Sequence, residues 1–591
     1  MKLIHLVLHS IFISLVCVAC HTNTTNHITS PSPNTSFDQI EKSSIVQLLR
    51  EREHLPMSER IELFYKLKKE SPSTYDFDNE EALNFYGYQL LWSAKLQDAF
   101  LIFKMIVSEF PGSSNAYDSF GEINLKLGDK MQALVNYQKS LALNPDNFNA
   151  EDQIAYILDP NLKPENPADK FSKVYTAEEY LEDLDELADR LSKTHPNLFK
   201  FITETDFRNL VKEKKNQITA ETTFAEFIWH CDEIIANINC SHTSVSGFYY
   251  EQDMLPTALS FPLQTRWIND QLFITDPMNN ANKVQTKAEI TCINGVPTME
   301  LVKEIYKHLP SQGYIETTKR HLFNVWSTCF IPYALDFPDL YTVTIKGISK
   351  PIVLNRAQEK RIMHNDPSIQ TCAKNLCLDF LHQDSTALLT INSFNYYKFS
   401  NSYQYFKDFI DTCFQEINSK NSKNLIIDVR QNGGGSQSAS IHLLRYLVDE
   451  PFTYYSKAEF EGKKEKIEGE ESLSPYENRY DGNLYFLIDG VGNSTTGHFM
   501  SIAKVLKLGT IIGEELGSNQ FCSAGGKTLR LSNTKLVYNV ADNTHVSMAT
   551  SLPDETGILP DIYVTQSIED YLNKKDAVKE YALKLIHDDK K

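Results

Sequence analysis

The chain has 591 residues, of which 41% are hydrophobic and 23% are charged, and its formal net charge is −19. That length exceeds one hydrophobic core and predicts several domains, while the composition is that of globular protein and excludes a chain disordered throughout. The acidic balance argues against nucleic acid as a partner, because it leaves no basic surface to neutralise phosphates.

The amino terminus has the pattern of an export signal. Lys2 precedes an apolar run, Leu3 to Ala19, whose length suits a signal-peptide core and is short for a membrane span. A small residue before Cys20, followed by a polar stretch, resembles the bacterial lipobox, although Cys17 stands where leucine is commoner. We therefore expect residues 1–20 to be a lipoprotein signal peptide with Cys20 acylated. Ordinary cleavage with an incidental Cys20 is the alternative.

Both alternatives predict an exported protein. With the lipid attached, the chain is expected in the bacterial cell envelope, anchored to a membrane on the periplasmic face or at the cell surface. Residues 21–42 are rich in Thr, Asn, Ser and Pro, and this composition predicts a flexible tether.

Residues 43–160 predict an all-helical region that contains a repeat. Four residues recur 34 positions later with the same character, namely Gly87, Ala99, Phe103 and Pro111 as Gly121, Ala133, Tyr137 and Pro145. This period and pattern are typical of tetratricopeptide repeats, in which small residues and an aromatic side chain pack paired helices together. Such a region binds a peptide or protein partner in a groove or acts as a packed spacer, and we slightly favour a protein partner.

Two smaller regions precede the last third of the chain. Residues 170–250 predict a helical cap that carries His242. Residues 255–355 change to short strands and turns, including a strand-like run at 288–297 before a helix at 299–308. A strand that reaches Ile-Asn-Gly-Val-Pro before a helix resembles part of a PDZ domain, so we expect a PDZ-like unit or a β-rich remnant of one.

Residues 380–591 predict an α/β core. Apolar runs of strand character alternate with helical stretches, with strands at 387–391, 425–429, 484–488 and 510–512 and helices at 401–419, 437–448 and 495–507. Alternation of this kind indicates βα units around a buried sheet. The run 528–540, with Ser-Asn-Thr at its centre, predicts a hairpin.

Cysteine usage leaves one question open. Eight cysteines follow Cys20, and only Cys372 and Cys377 lie close together in the sequence. No Cys-x-x-Cys motif is repeated, so no zinc site is expected. Buried thiols are the default interpretation, and a local bridge between Cys372 and Cys377 is the alternative in an oxidising compartment.

Three short segments, far apart in the sequence, carry residues suited to acyl transfer. Asn239–Thr243 ends the cap, Leu425–Ser436 is a buried strand that runs into three glycines, and Leu487–His498 passes from a strand through a turn into a helix. Taken singly, each has an ordinary alternative. Glycines commonly form turns, a serine often caps a helix, and the chain has 16 histidines.

Acyl transfer needs an activated hydroxyl, a base, a group that orients the base, and backbone donors for the oxyanion. Ser494 is the candidate hydroxyl, because it precedes a helix whose free N–H groups favour negative charge. His242 is the candidate base. The N–H groups of Thr495 and of either Gly433 or Gly434 are the candidate oxyanion donors, since glycine lets the backbone approach a substrate closely.

Together the segments resemble the tail-specific, or C-terminal processing, serine proteases, and more closely their tricorn-core-like branch. The shared features in chain order are Ser241-His242, the pattern Asp-x-Arg-x-Asn-x-Gly-Gly at 428–435, Ser494 nineteen residues before Gly513-Glu514, and an acid with Gly-x-x-Pro-Asp at 554–561. The resemblance covers about residues 170–585, and the order of the motifs agrees throughout.

The resemblance implies a serine peptidase with a ClpP/crotonase-like α/β core. It makes Ser494 the nucleophile and His242 the base, with Ser241 and the carboxylate of Asp554 or Glu555 holding the imidazole. No metal and no organic cofactor are implied. The expected substrates are unfolded protein segments, chain ends or short peptides.

Three departures from the family pattern affect these expectations. Asn519 stands where the Ser–Lys branch has its base, 25 residues after the serine, which leaves the base role to His242. The family acid is usually Glu, whereas Asp554 stands three residues before the glycine with Glu555 beside it. Gly497 replaces a common Glu, which we interpret as a variation of the branch.

Other functions fit parts of the sequence. A catalytically inactive peptidase-like lipoprotein could bind peptides or ligands without cleaving them, and a scaffold lipoprotein could act through its helical repeats alone. An esterase would share the serine chemistry, but Ser494 lies outside any Gly-x-Ser-x-Gly motif.

Overall fold

A computed structural model of the protein describes residues 43–245, 253–360, 362, 366–381, 385–398, 400–460, 462–464 and 467–588. The expected signal peptide, its lipidation site Cys20 and the tether lie outside the described residues. The chain divides into two compact units, the first running to Pro164 and including Lys398–Asn401, and the second comprising the remainder. No helix in the described ranges is long and apolar enough to cross a membrane.

The first unit consists of helices that pack on their neighbours in sequence. They are α1 (Ile45–Glu51), α2 (Met57–Glu70), α3 (Glu80–Trp92), α4 (Leu96–Glu109), α5 (Ser114–Lys126), α6 (Lys130–Leu143) and α7 (Phe148–Leu158). A short parallel pair joins β1 (Ser43–Ser44) to β2 (Tyr75–Asp76). Side-chain oxygens cap the N-termini of α3, α5, α6 and α7, which fixes where these helices begin.

The repeated residues of this unit make the same contact in both copies. A methyl group added at Gly87 would lie 2.5 Å from the ring of Phe103, and one added at Gly121 would lie 2.9 Å from the ring of Tyr137. The missing side chains therefore let paired helices approach closely around an aromatic ring. Assignment to the tetratricopeptide family stays a prediction.

The second unit begins with the helical cap. Its helices are α8 (Pro167–Lys170), α9 (Ala177–Thr194), α10 (Glu204–Gln217) and α11 (Phe224–Ala236). Capping boxes start α9 at Thr176 and α11 at Thr223. The two-residue strand β3 (Ser244–Val245) follows and leads the chain out of the cap.

A β-rich unit comes next in the chain. Its strands pair only in antiparallel fashion, and they are β4 (Gln264–Ile268), β5 (Gln271–Asp276), β6 (Glu289–Ile293), β7 (Val296–Pro297), β8 (Thr342–Ile345) and β9 (Ile352–Val353). The helix expected at 299–308 is α12 (Thr298–Tyr306), and α13 (Glu316–Ala334) packs against β4. The PDZ-like identity of this unit stays a prediction.

The C-terminal region is built on a six-stranded mixed sheet. Its spatial order is β10 (Leu376–Leu381), β11 (Thr386–Ile391), β12 (Asn424–Asp428), β15 (Asn483–Ile488), β16 (Thr510–Gly513) and β21 (Ile562–Tyr563). β10 is antiparallel to β11, and the remaining pairs are parallel. Helices α14 (Asn401–Ser419), α15 (Gln437–Leu444), α16 (Thr495–Val505), α17 (Ile568–Leu572) and α18 (Ala577–Asp588) complete the region. The sheet buries nearly all of β11, β12 and β15, as expected for parallel strands covered on both faces.

Two smaller sheets lie in the same unit, and the sequence predicted only part of them. An antiparallel sheet has the order β14 (Lys463–Lys464), β13 (Tyr455–Phe460), β20 (Asn543–Ser547) and β17 (Phe521–Ala524). The expected hairpin is β18 (Lys527–Arg530) with β19 (Val537–Val540), and β19 also pairs with β3. Cys372 and Cys377 form a disulfide with their Cα atoms 5.6 Å apart, so the default interpretation of two free thiols is corrected for this pair.

Candidate active site

The predicted nucleophile and the three glycines lie at the carboxyl edge of the six-stranded sheet. β12 and β15 are parallel neighbours, with Asp428 opposite Leu487. The segments that leave these strands therefore emerge side by side, at the edge where α/β proteins place their sites. We call residues 430–435 the glycine loop and residues 489–494 the serine loop.

Ser494 forms the turn between the serine loop and α16. Its φ is 53° and its ψ is −121°, a strained backbone conformation for a residue with a β carbon. Its side chain makes no capping hydrogen bond to α16, so Ser494 does not have the ordinary role of an N-cap. Strain of this kind costs about 1–3 kcal/mol and is retained where the surrounding structure enforces it, often at active sites.

The glycine loop is pressed against the serine loop. At Gly434, where φ is +101°, an added β carbon would lie 2.6 Å from the carbonyl oxygen of Asn493 and 2.8 Å from the Cβ of Ser494. It would also lie 3.1 Å from the backbone nitrogen of Thr495. Only glycine fits this approach, and the two loops form one surface around the hydroxyl of Ser494.

The backbone donors predicted for an oxyanion differ in availability. The N–H of Gly434 donates to Oδ1 of Asn432 at 2.9 Å and is already engaged. For the N–H groups of Gly433 and Thr495, no acceptor lies within hydrogen-bond distance among the residues that the structure describes. The geometry therefore favours Gly433 over Gly434 as the partner donor of Thr495.

His242 is brought to the same place by the cap. β3 begins two residues after it and pairs with β19, with Val245 opposite Tyr538. The Nδ1 of His242 lies 3.2 Å from the Oγ of Ser241, which donates to Oδ1 of Asn493 at 3.0 Å. Ser241 thus ties the imidazole to the residue that precedes Ser494.

The imidazole is neutral over the physiological pH range. Burial, with a smaller contribution from the nearby His545, lowers the pKa of His242 to about 4. Burial also lowers the pKa of His195 and of His498 to about 3. Within the described ranges, no group of three or more His, Cys, Asp or Glu side chains is arranged to hold a metal ion.

Cys522, for which the sequence predicts an ordinary buried thiol, lies beside the predicted nucleophile and base. Its Sγ is 3.6 Å from Nδ1 and 3.9 Å from Nε2 of His242, and the nearby hydroxyl of Ser494 opposes the effect of burial on the pKa of the thiol. Burial raises the pKa of the Cys522 thiol, so the group is neutral. Among the described residues, no hydrogen bond joins Ser494 to His242 directly. Nothing in the sequence around Cys522 indicates that it lies beside the nucleophile and the base.

The predicted carboxylates lie near the site but contact other groups. Oδ2 of Asp554 pairs with Nζ of Lys200 at 2.6 Å, and its Oδ1 accepts from Gln520 at 2.6 Å. Glu555 is exposed, and its carbonyl oxygen accepts the N–H of Tyr314. In the described part of the chain, neither carboxylate is hydrogen bonded to His242.

Two departures from the family pattern are packed against each other. The side chain of Asn519 donates to the carbonyl oxygens of Asp554 and Thr556, at 2.8 and 2.7 Å, and accepts the N–H of Phe521. A β carbon at Gly497 would lie 2.6 Å from the carbonyl oxygen of Asn519. Asn519 therefore holds the segment 554–556 by hydrogen bonds, at the position where the Ser–Lys branch has its base. The missing side chain of Gly497 leaves room for the backbone of Asn519.

Comparisons with known proteins point to one family. The model of peptidase family S41 matches residues 385–564. No curated protein matches the chain.

Several solved structures are similar at low identity. The crystal structure of mature CPAF is 14% identical, with 68% of this chain and 95% of that chain covered and a TM-score of 0.48. A putative peptidase from Parabacteroides merdae is 15% identical, with 69% and 96% covered and a TM-score of 0.39. The photosystem II D1 C-terminal processing protease is 12% identical, with 68% and 98% covered and a TM-score of 0.32.

Proposed function

We propose that this serine peptidase, whose residues 385–564 match the model of peptidase family S41, cleaves peptide bonds through Ser494 as nucleophile and His242 as general base. The observation that carries this assignment is the backbone of Ser494. A strained serine at a strand-to-helix turn, packed against Gly434 and beside the free N–H of Thr495, has the features of an activated nucleophile.

The reaction follows from the positions of these groups. His242 takes the proton of Ser494 as the hydroxyl attacks the carbonyl carbon of a peptide bond. The N–H groups of Gly433 and Thr495 stabilise the oxyanion, and Ser241 holds the imidazole that has become charged. His242 then protonates the leaving amine, and water hydrolyses the acyl-enzyme.

Formation of the Ser494–His242 hydrogen bond belongs to this proposal. In the structure the thiol of Cys522 lies 3.6 Å from Nδ1 of His242 and close to Ser494, and catalytic hydrogen bonds are often completed only when substrate binds. We assign the orienting carboxylate to Asp554 or Glu555. Replacing each residue by alanine distinguishes the two assignments. The substitution of the carboxylate that orients His242 lowers kcat, whereas the substitution of the other affects stability alone.

The chemistry and location of the substrate are also part of the proposal. We propose an exported endopeptidase, anchored in the bacterial envelope by a lipid on Cys20, which acts on unfolded proteins, chain ends or peptides. The helical repeats of the first unit would hold a protein partner or present substrate. Metabolic labelling with a radioactive fatty acid, comparing the wild type with Cys20→Ala, tests the anchor. Equal labelling of both proteins would refute it.

A fluorophosphonate probe tests the catalytic assignment without knowledge of the substrate. Full-length wild type, Ser494→Ala and His242→Ala are labelled in parallel with hydrolysis of fluorescein-labelled casein, and circular dichroism checks folding. We expect labelling and hydrolysis in the wild type alone. Undiminished labelling of folded Ser494→Ala would refute the nucleophile. A folded wild type that neither labels nor cleaves would instead indicate the inactive binding lipoprotein.

A further inference from the structure

We propose that Asp489 is a positioning residue that fixes the glycine loop against the serine loop and thereby places the N–H of Gly433 for the oxyanion. This inference rests on the proposed function of Ser494. Asp489 directly follows β15 and lies five residues before Ser494.

The carboxylate of Asp489 joins the two loops by hydrogen bonds. The N–H of Gln431 in the glycine loop donates to both of its oxygens, at 3.2 Å to Oδ1 and 3.1 Å to Oδ2. The N–H of Val491 in the serine loop donates to Oδ1 at 3.1 Å. The side chain of Asp489, at the end of β15, therefore accepts hydrogen bonds both from the loop that carries the oxyanion donor and from the loop that carries the nucleophile.

Gln431 is the position at which such a tie has most effect. Its φ is +60°, the left-handed region that residues with a β carbon rarely adopt. The carboxylate holds this unfavourable conformation, which turns the chain into Asn432 and Gly433. Among the residues that the structure describes, the other hydrogen bond between the loops is longer, 3.3 Å from the N–H of Asn493 to the carbonyl oxygen of Asn432. Next to the serine loop, the hydroxyl of Thr495 donates to the carbonyl oxygen of Gly435 at 2.5 Å. Without the tie at Gln431, the glycine loop loses the contact that fixes its second residue, directly after the anchored Arg430.

Asp489 is stabilised by backbone N–H groups because the nearby cations are engaged elsewhere. It lines a cavity of about 110 Å³ whose charged residues are Arg266, Arg320, Arg430, Asp366, Glu514 and Asp576, with His321 also at the wall. Arg430 forms close ion pairs with Asp428 and Asp576, at 2.7 Å each. Arg266 pairs with Asp366, and Arg320 pairs with Glu514, each at 2.5 Å.

The tie between the loops responds to pH. Burial raises the pKa of Asp489 to about 7, although the two backbone N–H groups and Arg430 act in the opposite direction, while Asp428 adds to the rise. As the pH falls through 7, the carboxylate takes up a proton and becomes a weaker acceptor, so the loop loosens and activity falls. His242 stays neutral down to about pH 4 and cannot cause a loss near pH 7.

The test compares Asp489→Asn with wild type and with Asp183→Asn as a matched control. Asp183 is a buried carboxylate of α9 that accepts the N–H groups of Asn533 and Thr534, at 2.9 and 2.8 Å, far from the serine in sequence and outside both loops. The rate of fluorophosphonate labelling is measured from pH 5 to 9 for each protein. Values of kcat and KM for fluorescein-labelled casein are determined at pH 8, and melting temperatures are recorded.

We expect the wild-type labelling rate to fall on the acid side with an apparent pKa near 7. In Asp489→Asn the labelling rate and kcat at pH 8 drop together by about 10- to 100-fold. A loss of this size is expected when an oxyanion donor is displaced rather than removed. The KM of Asp489→Asn changes less than about twofold, because ground-state binding does not use the oxyanion donors. The fall in the labelling rate on the acid side, which we call the acid limb, disappears in Asp489→Asn, because asparagine does not titrate. Asp183→Asn melts at a lower temperature and keeps both kcat and the acid limb.

Two outcomes would overturn the inference while the proposed function stands. One is an Asp489→Asn variant that labels at Ser494 with wild-type rate and pH profile. The other is a wild-type labelling rate that stays constant from pH 8 down to pH 5, which needs no variant and is independent of folding. Labelling that persists in Ser494→Ala would overturn the proposed function itself and is thereby distinguished from both.

Discussion

Replacing Gly434 by alanine perturbs the contact that holds the two loops of the site together. The residue has a φ of +101°, and its missing side chain faces the carbonyl oxygen of Asn493 and the Cβ of Ser494. Those atoms would lie 2.6 and 2.8 Å from an added β carbon, whereas ordinary contact begins at 3.4 Å. The substitution therefore forces the loops apart by several tenths of an ångström at the nucleophile.

The expected magnitude follows from that displacement. A misplacement of about 1 Å in an active site costs about 100-fold in rate, and the shortfall against ordinary contact is about 0.8 Å at Asn493. We expect kcat to fall by about 30- to 100-fold, with KM little changed. The left-handed backbone adds a loss of about 1–3 kcal/mol in the free energy of unfolding.

A control variant separates strain from displacement. Gly295 has a φ of +82° and no atom within 4 Å of an added β carbon, so Gly295→Ala carries the backbone cost without a clash. Casein hydrolysis, fluorophosphonate labelling and urea denaturation are measured for both variants. Gly295→Ala should lose stability and keep its activity. If Gly434→Ala retained more than about half of the wild-type kcat, the close packing of the two loops would not control the nucleophile.

Three further predictions concern the base, the missing lysine and the support of the site. Asn519→Lys should lower the melting temperature and fail to restore labelling to His242→Ala, because lysine cannot replace the three hydrogen bonds of the amide; restored labelling would contradict it. The ring signals of His242, followed by NMR, should titrate near pH 4 rather than 6.5 as the pH falls, because burial disfavours the charged form; titration above pH 6 would contradict this. Asp576→Ala should lower the free energy of unfolding by about 3–5 kcal/mol in urea, because it leaves the buried Arg430 with one carboxylate; a loss below about 1 kcal/mol would contradict it.

The sequence alone predicted the elements that have strong local signals. Apolar runs gave the strands at 387–391, 425–429 and 484–488 to within a residue or so of β11, β12 and β15, because buried parallel strands are nearly continuous apolar runs. The hairpin at 528–540 was predicted from its turn residues. The strands β13 and β20 were missed, because their polar and apolar residues do not alternate clearly. The helix α10 lies within the predicted helical cap, but its bounds were not predicted.

The candidate site divides in the same way. The candidate residues Ser494, His242 and Ser241 were proposed from the sequence, because the motifs that resemble the C-terminal processing proteases carry them. Asp489 and Cys522 could not be predicted, because a single aspartate after a strand and a scattered cysteine are common in any sequence. Their contacts with Gln431 and His242 join residues dozens to hundreds of positions apart.

What the sequence by itself predicted is therefore the buried strands and several helices of the core sheet, the resemblance to the C-terminal processing proteases and the candidate reactive groups. Only the tertiary structure decided which donors are available, since the N–H of Gly434 donates to Asn432 whereas that of Gly433 has no acceptor in the part of the chain that the structure describes. It also decided that Asp554 pairs with Lys200 and that Asp489 joins the two loops. The physical reason is that local patterns report propensity and burial, whereas hydrogen-bond partners are set by the register of strands that are distant in the chain.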